Sequence, residues 1–177
     1  MTFDLQPVLR GDLLTLRALR QYDYDDLRAA ASDPLIWEQH PDKTRSDPEG
    51  FKKFFQEAMA SGGALIAIDN STGAVIGSSR YFGYERAADE VEIGWTFLVR
   101  SHWGGRYNGE MKRLMLTHAF QFVSRVVFLV GPNNIRSQRA VERIGGVRVG
   151  MRRDALSGRE SVVFAMTAES FKTQRAC

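Results

Sequence analysis

The stretch WTFLVRSHWGGRYNGEMKRLMLTHAF, residues 95–120, changes character at its midpoint. An apolar extended run gives way to a turn with two adjacent glycines, and that turn opens onto residues with helical spacing. Met111, Leu114, Met115, His118, Ala119 and Phe122 recur at i, i+3, i+4, i+7, i+8 and i+11, which lays one face of a helix on a sheet. The helix therefore begins near Arg106. A helix N-terminus presents unpaired N–H donors and partial positive charge, and small residues ahead of it let an anion approach. Gly104, Gly105 and Asn108 tolerate positive φ better than most residues, so the turn reads as an anion cradle. The same residues also suit a plain tight turn with Asn108 as the helix cap.

Working outward, the rest of the chain supplies a sheet for this helix. Upstream, residues 13–19 alternate as a strand, and residues 22–32 read as a helix closed by Asp33-Pro34. An irregular segment, PLIWEQHPDKTRSD, follows. Residues 47–63 place Phe51, Phe54, Phe55, Ala58 and Met59 on one helical face and stop at Gly62-Gly63. Residues 64–69, 74–84 and 89–99 then read as three antiparallel strands joined by short turns. Downstream come a buried strand over 126–132, a short helix over 133–146 ended by Gly145-Gly146, and a hairpin from 147–156 and 161–167. The order is βααβββαβαββ. With no repeat, linker or low-complexity segment, residues 1–177 read as a single α/β (α+β) domain.

Composition narrows the class. A chain of 177 residues that is 44% hydrophobic and 25% charged suits one ordinary globular domain. No run approaches the roughly 20 apolar residues of a membrane span, and the N-terminus lacks a signal peptide's basic start and apolar centre, so the expected location is cytoplasmic. The one cysteine, Cys177, cannot form an internal disulfide and is read as inert. His40, His102 and His118 are scattered away from Cys or carboxylate partners at ligand spacing, so no metal is expected. His118 falls on the apolar helix face as a core histidine. The net charge of +3 suits an anionic ligand and lacks the dense basic blocks of a nucleic-acid arm. The arginines between Arg136 and Arg153 leave nucleic acid as an alternative that predicts salt-dependent binding.

Glu92 stands out in the strand before the turn. Period two puts Val91, Ile93, Trp95 and Phe97 on one face and Glu92, Gly94 and Thr96 on the other, with Gly94 leaving room beside the carboxylate. Such a group can accept a proton, or it can pair on the surface with Arg80. Asn134 is a natural N-cap with Ser137 at N3. Trp37, Glu38 and His40 place an aromatic, a carboxylate and an imidazole in the irregular segment, where loop residues often build pockets.

The element order, the turn WGGRYN and the run Asn134-Ile135-Arg136-Ser137-QRAVERIGG together resemble the GNAT superfamily of N-acetyltransferases over nearly the whole chain. Within it the chain looks most like the ribosomal-protein alanine and serine N-acetyltransferase (RimJ/RimL-like) branch. The family's turn is Q/R-x-x-G-x-G/A, so here Trp103 stands at the Q/R position, Arg106 at the first glycine and Asn108 at the second. The resemblance implies a mixed, mostly antiparallel central sheet with helices on both faces. It implies acetyl-CoA as cosubstrate, its pyrophosphate held by the turn (Trp103, Gly104, Gly105, Arg106, Tyr107, Asn108), with Arg100 and Arg106 adding charge. Trp103 and Tyr107 can also be packing residues. The pantetheine arm would lie along Phe97, Leu98 and Val99 and near Asn134. Glu92 would be the general base, Ser137 would hydrogen-bond the departing thiolate, and Trp37, Glu38 and His40 would face the acceptor. The implied reaction moves acetyl to a primary amine by direct attack in a ternary complex.

A protein N-terminal α-amine is the favoured acceptor on chemical grounds. Freeing an amine of pKa ~8 at pH 7 costs about 1.4 kcal/mol, against about 4.6 for a lysine at ~10.4. A small-molecule amine such as an antibiotic or polyamine is the alternative, and a non-catalytic CoA-binding regulator is another. The expected partners are acetyl-CoA and the amine acceptor, not a membrane or nucleic acid, in a monomer or homodimer.

Overall fold

The computed structural model describes residues 2–153 and 158–175. In chain order the elements are β1 (Leu9–Arg10), β2 (Leu14–Ala18), α1 (Tyr24–Ala31), α2 (Pro48–Ser61), β3 (Ala64–Asp69), β4 (Val75–Glu85) and β5 (Glu90–Leu98). Then follow α3 (Arg106–Ala119), β6 (Arg125–Val130), α4 (Ile135–Arg143), β7 (Val147–Arg153), β8 (Glu160–Thr167) and α5 (Ala168–Arg175). Short 3-10 turns occupy much of the segment between α1 and α2. The strands form one open sheet in the order β1-β2-β3-β4-β5-β6-β8-β7, antiparallel everywhere except between β5 and β6.

Alternating side chains in the strands feed two cores. Leu65 and Ala67 join Met111, Met115, Leu116 and Ala119 of α3 on one face, while Ile66 joins Phe51, Phe54, Phe55 of α2 and Leu27 of α1 on the other. Helices thus cover both faces, as the family resemblance implies. Glu110 of α3 fixes that helix to the sheet edge. Its carboxylate accepts the N–H groups of Asp12, Leu13 and Leu14 at 3.0, 2.8 and 3.0 Å.

The expected elements are present, and two more appear, β1 and α5. A two-residue strand has no period to detect, and α5 buries Phe171 as an isolated apolar anchor. The last part of the expected 147–156 strand and Cys177 lie outside the described residues.

The period-two reading of β5 fails at one point. Ser78 faces Phe97 and Arg80 faces Gly94, so two steps along β4 match three along β5, and Trp95 adopts φ 50°. This β-bulge turns Trp95 and Phe97 toward the α1–α2 core, whereas Val91, Ile93 and Leu98 pack on the α3 side. The Thr96 hydroxyl meets Lys112 of α3. Trp95 and Phe97 therefore do not share a face with Val91 and Ile93.

Candidate active site

The parallel ladder between β5 and β6 ends after Glu90–Glu92 pairs with Arg125–Val127, and the strands then part. A cleft of about 510 Å³ opens there, with Phe97, Leu98 and the Gly104-Gly105 turn on one side and α4 on the other. Gly104 and Gly105 have φ 105° and 102°, and a Cβ on either would meet nothing within 4 Å. The glycines are needed for backbone conformation, and they leave the first turn of α3 open to an anion. Gly105 is the N-cap. Asn108 is consequently the third residue of the helix and not its cap, and it lines the cleft from there.

The turn is tied down from behind. His102 Nε2 lies 2.9 Å from the Asp69 carboxylate at the end of β3, and the His102 ring meets Tyr107 edge-on at 4.6 Å. Trp103 donates its indole N–H to the Leu98 carbonyl at 2.9 Å, and the Arg136 guanidinium lies over its ring at 4.2 Å. Arg136 in turn donates to the Ile36 carbonyl at 2.8 Å, and its backbone N–H donates to Gln39 Oε1 at 3.0 Å. The turn, α4 and the segment after α1 are thereby fastened to one another.

Where β5 and β6 part, a smaller cavity of about 140 Å³ lies between Ile93, Gly94 and Thr96 on one strand and Phe128 to Gly131 on the other. Asn134 and Ser137 of α4 line both cavities. Asn134 accepts the Ser137 N–H at 3.2 Å, so the capping role is real, and Ser137 also lines both cavities. The Glu92 carboxyl sits beside Gly94, its Oε1 3.0 Å from where a Cβ would stand, so Gly94 does provide the room that the carboxylate uses. Burial pushes the Glu92 carboxyl up to about 7, against the weaker opposing pull of Arg152 and Arg80. Among the described residues no close ion pair joins Glu92 to Arg80.

Lys112 forms the floor of this cavity. It is buried, donates to Ser79 Oγ at 3.2 Å and to Thr96 Oγ1, and lies 5.8 Å from the Phe128 ring. Burial lowers the ammonium to about 7. On the roof, His40 Nδ1 accepts the Asp42 N–H at 2.9 Å. Burial and then Arg45 lower the His40 imidazole to about 4, so it is neutral at pH 7. Nδ1 also lies 3.0 Å from the Asp42 carbonyl oxygen, so the Asp42 backbone holds that nitrogen in either tautomer.

The sequence profile described as "Acetyltransferase (GNAT) domain" matches residues 14–147, well over half of the chain. The chain belongs to the GNAT acetyltransferase family. A GCN5-related N-acetyltransferase from Brucella melitensis superposes with a TM-score of 0.83 at 19% identity, covering 97% of this chain and 85% of that one. RimJ from Mycobacterium smegmatis, solved in complex with CoA-disulfide, gives 0.69 at 20% identity over 93% of this chain and 87% of its own. An acetyltransferase from Agrobacterium tumefaciens gives 0.70 at 25% identity over 90% and 94%. No curated protein sequence matches the chain. The protein is an acetyl-transferring enzyme with the GNAT fold, and GNAT enzymes use acetyl-CoA. No helix among the described residues is long and apolar enough to cross a membrane.

For a GNAT enzyme, most of the expected residues converge and some do not: Glu92, the expected base, lines neither cavity itself and reaches the smaller one only through its neighbour Gly94. Phe97, Leu98, Trp103, Gly104, Gly105, Asn108, Asn134, Ser137, Trp37 and His40 line the larger cleft. Val99 does not, because its N–H is bonded to the Ile76 carbonyl at 2.8 Å. Tyr107 packs on His102 away from the cleft, and Arg106 is exposed outside it. Arg100 is engaged by Asp33. The positive charge in the cleft comes instead from Arg136, Arg139 and Arg143 of α4, three of the arginines that suggested nucleic acid. Trp37 is a wall, 3% exposed, with its indole N–H on the Ala31 carbonyl at 2.8 Å, while exposed Glu38 lines neither cavity and Gln39 takes its place. His118 is satisfied by the Asp4 carbonyl at 2.7 Å, as a packed histidine should be.

Lys112, Arg45 and Arg80 were not expected at the site. One signal was available for the lysine. The buried stripe of α3 is Met111, Lys112, Met115, Leu116 and Ala119, so Lys112 occupies an apolar slot four residues before Leu116.

Proposed function

We propose that this chain transfers acetyl from acetyl-CoA to a primary amine by direct attack in a ternary complex, with the α-amine of a protein N-terminus as the favoured acceptor. The observation that carries this reading is the placement of a half-buried carboxyl, Glu92, against Gly94, which lines the smaller cavity where β5 and β6 part, beside a cleft that begins at the N-terminus of α3. The pyrophosphate would meet the N–H groups of the first turn of α3, with Arg139 and Arg143 opposite. The pantetheine arm would follow Phe97 and Leu98 into the gap between β5 and β6. There the amine nitrogen attacks the thioester carbonyl carbon, and its proton passes to Glu92 directly or through water. The C–S bond then breaks, and the thiolate accepts a hydrogen bond from the Ser137 hydroxyl.

A carboxyl held near 7 is poised for this task, since it is substantially ionised at neutral pH yet basic enough to take a proton. Neutral His40 would present Nε2 to the acceptor, Nδ1 being held by the Asp42 backbone. Among the described residues no histidine or carboxylate hydrogen-bonds the Ser137 hydroxyl, which favours direct transfer over an acyl-enzyme.

The test is a mass-spectrometric screen with acetyl-CoA, peptides with free N-termini and small amines. Acetylation at peptide α-amines is expected. Products confined to lysine side chains or to small amines such as polyamines would overturn the N-terminal assignment.

A further inference from the structure

Arg45 and Arg80 are 8% and 4% exposed, so each is more than nine-tenths buried. Arg45 lines the smaller cavity with Gly94, Trp95 and Ser137, and Arg80 lies behind it, stacked 4.4 Å from the Trp95 ring. The two guanidinium groups share the Phe54 ring, at 4.8 and 5.9 Å, so the wall between them is aromatic and not acidic. Neither is fully satisfied, although Arg45 forms a loose ion pair with Asp42. Nε of Arg45 and both Nε and Nη2 of Arg80 are buried without a hydrogen-bond partner. The nearest carboxylate to Arg45, on Asp42, is 3.7 Å from Nε, too far for a hydrogen bond, while Glu57 and Glu92 attract from further off. Arg159 adds positive charge near Arg45 and His40.

Burying two like charges together is expensive unless an anion completes them. Aromatic faces offset part of that cost, but they leave the N–H groups unmatched. A bare ammonium acceptor would be repelled by such a pair. An acceptor that brings its own negative group would be attracted, and a carboxylate fits the planar fork of a guanidinium.

We propose that the amine acceptor carries a carboxylate close to its reactive nitrogen, received by Arg45 with Arg80 behind it. This rests on the acetyl-transfer reading and narrows its substrate class. The carboxylate belongs either to a free amino acid or to an acidic side chain near a peptide N-terminus.

The test measures binding of N-acetylated products to the CoA-saturated enzyme, because an acetylated nitrogen removes amine basicity from the comparison. N-acetylglycine is compared with its amide, and an N-acetyl-aspartyl peptide amide with its asparaginyl twin. The carboxylate of at least one pair should bind about 10- to 100-fold tighter, and the pair that responds identifies the source. Arg45→Met should abolish that preference with CoA binding retained as the check on folding, and Arg45→Lys should restore part of it. Equal binding of carboxylate and amide in both pairs, absence of binding by all four at millimolar concentration, or an unchanged ratio in Arg45→Met overturns the proposal. Turnover of neutral and acidic amines alike would leave the acetyl-transfer reading standing while this one falls. A carboxylate preference in binding with no amine acetylated would do the reverse.

Discussion

Replacing Glu92 and Ser137 separately distinguishes the two ends of the proton traffic. Glu92→Gln removes the base, so kcat/KM near neutral pH should fall by about 10²- to 10⁴-fold and recover toward high pH as solvent supplies free amine. Ser137→Ala should stay depressed across the range, because the thiolate still lacks its donor. The parent's rate should rise through about pH 7, where the Glu92 carboxyl ionises. Parallel pH–rate profiles for the two variants with one amine would contradict this division. Glu92 and Ser137 were legible as polar residues beside a glycine and at a helix start. Arg45 was not, since a residue in an irregular segment has no period to say which way it faces. Arg80 was legible only as a surface partner for Glu92, because nothing in β4's sequence announces that Phe54 and Trp95 will bury it.

At the scale of elements, α3 carries both the glycine turn's helix start and the floor of the smaller cavity, and its position depends on Glu110. That carboxylate gathers three consecutive N–H groups from the start of β2, two of them partly buried. Glu110→Ala should lower stability by about 2–3 kcal/mol, read from the denaturant midpoint with an unchanged slope. A shift below about 0.5 kcal/mol would mean that water replaces the clamp. The order and type of most main elements could be read from apolar periodicity, because α2, α3 and the central strands each bury one face, whereas β7 is exposed throughout and was legible only as half of a hairpin. The bulge at Trp95 could not, since its positive φ is imposed by the mismatch of register with β4 and not by a glycine. That single residue decides which way Thr96 and Phe97 turn, and so which side chains meet Lys112 and the acceptor wall.

For the whole molecule, the site's buried ionisable groups should shape stability against pH. Lys112 has its folded value lowered to about 7 from 10.5, so between those values the unfolded chain binds the extra proton and stability rises with pH. The rise is fully lost below about 7, where the folded protein must hold a buried ammonium. Glu92 acts in the opposite sense. Its folded value is raised to about 7 from 4.5, so the folded chain holds the proton in that window and stability falls as pH climbs through it. His40, lowered to about 4 from 6.5, makes stability rise over nearly the same interval and offsets Glu92 there. Above about 10, Arg45, Arg80 and Tyr81 begin to contribute, so the clean window lies between 7 and 10. The ligand-free enzyme should therefore change little in stability from pH 4.5 to 6.5, then gain on the order of a few kcal/mol from pH 7 to 10. Denaturant unfolding at closely spaced pH values measures this. Lys112→Met should flatten the alkaline limb, and Glu92→Gln should unmask the His40 limb, so that this variant loses stability from pH 6.5 down to 4. A parent curve that falls between pH 7 and 10, or an alkaline limb that survives Lys112→Met, would show that Lys112 is not the buried cation controlling it.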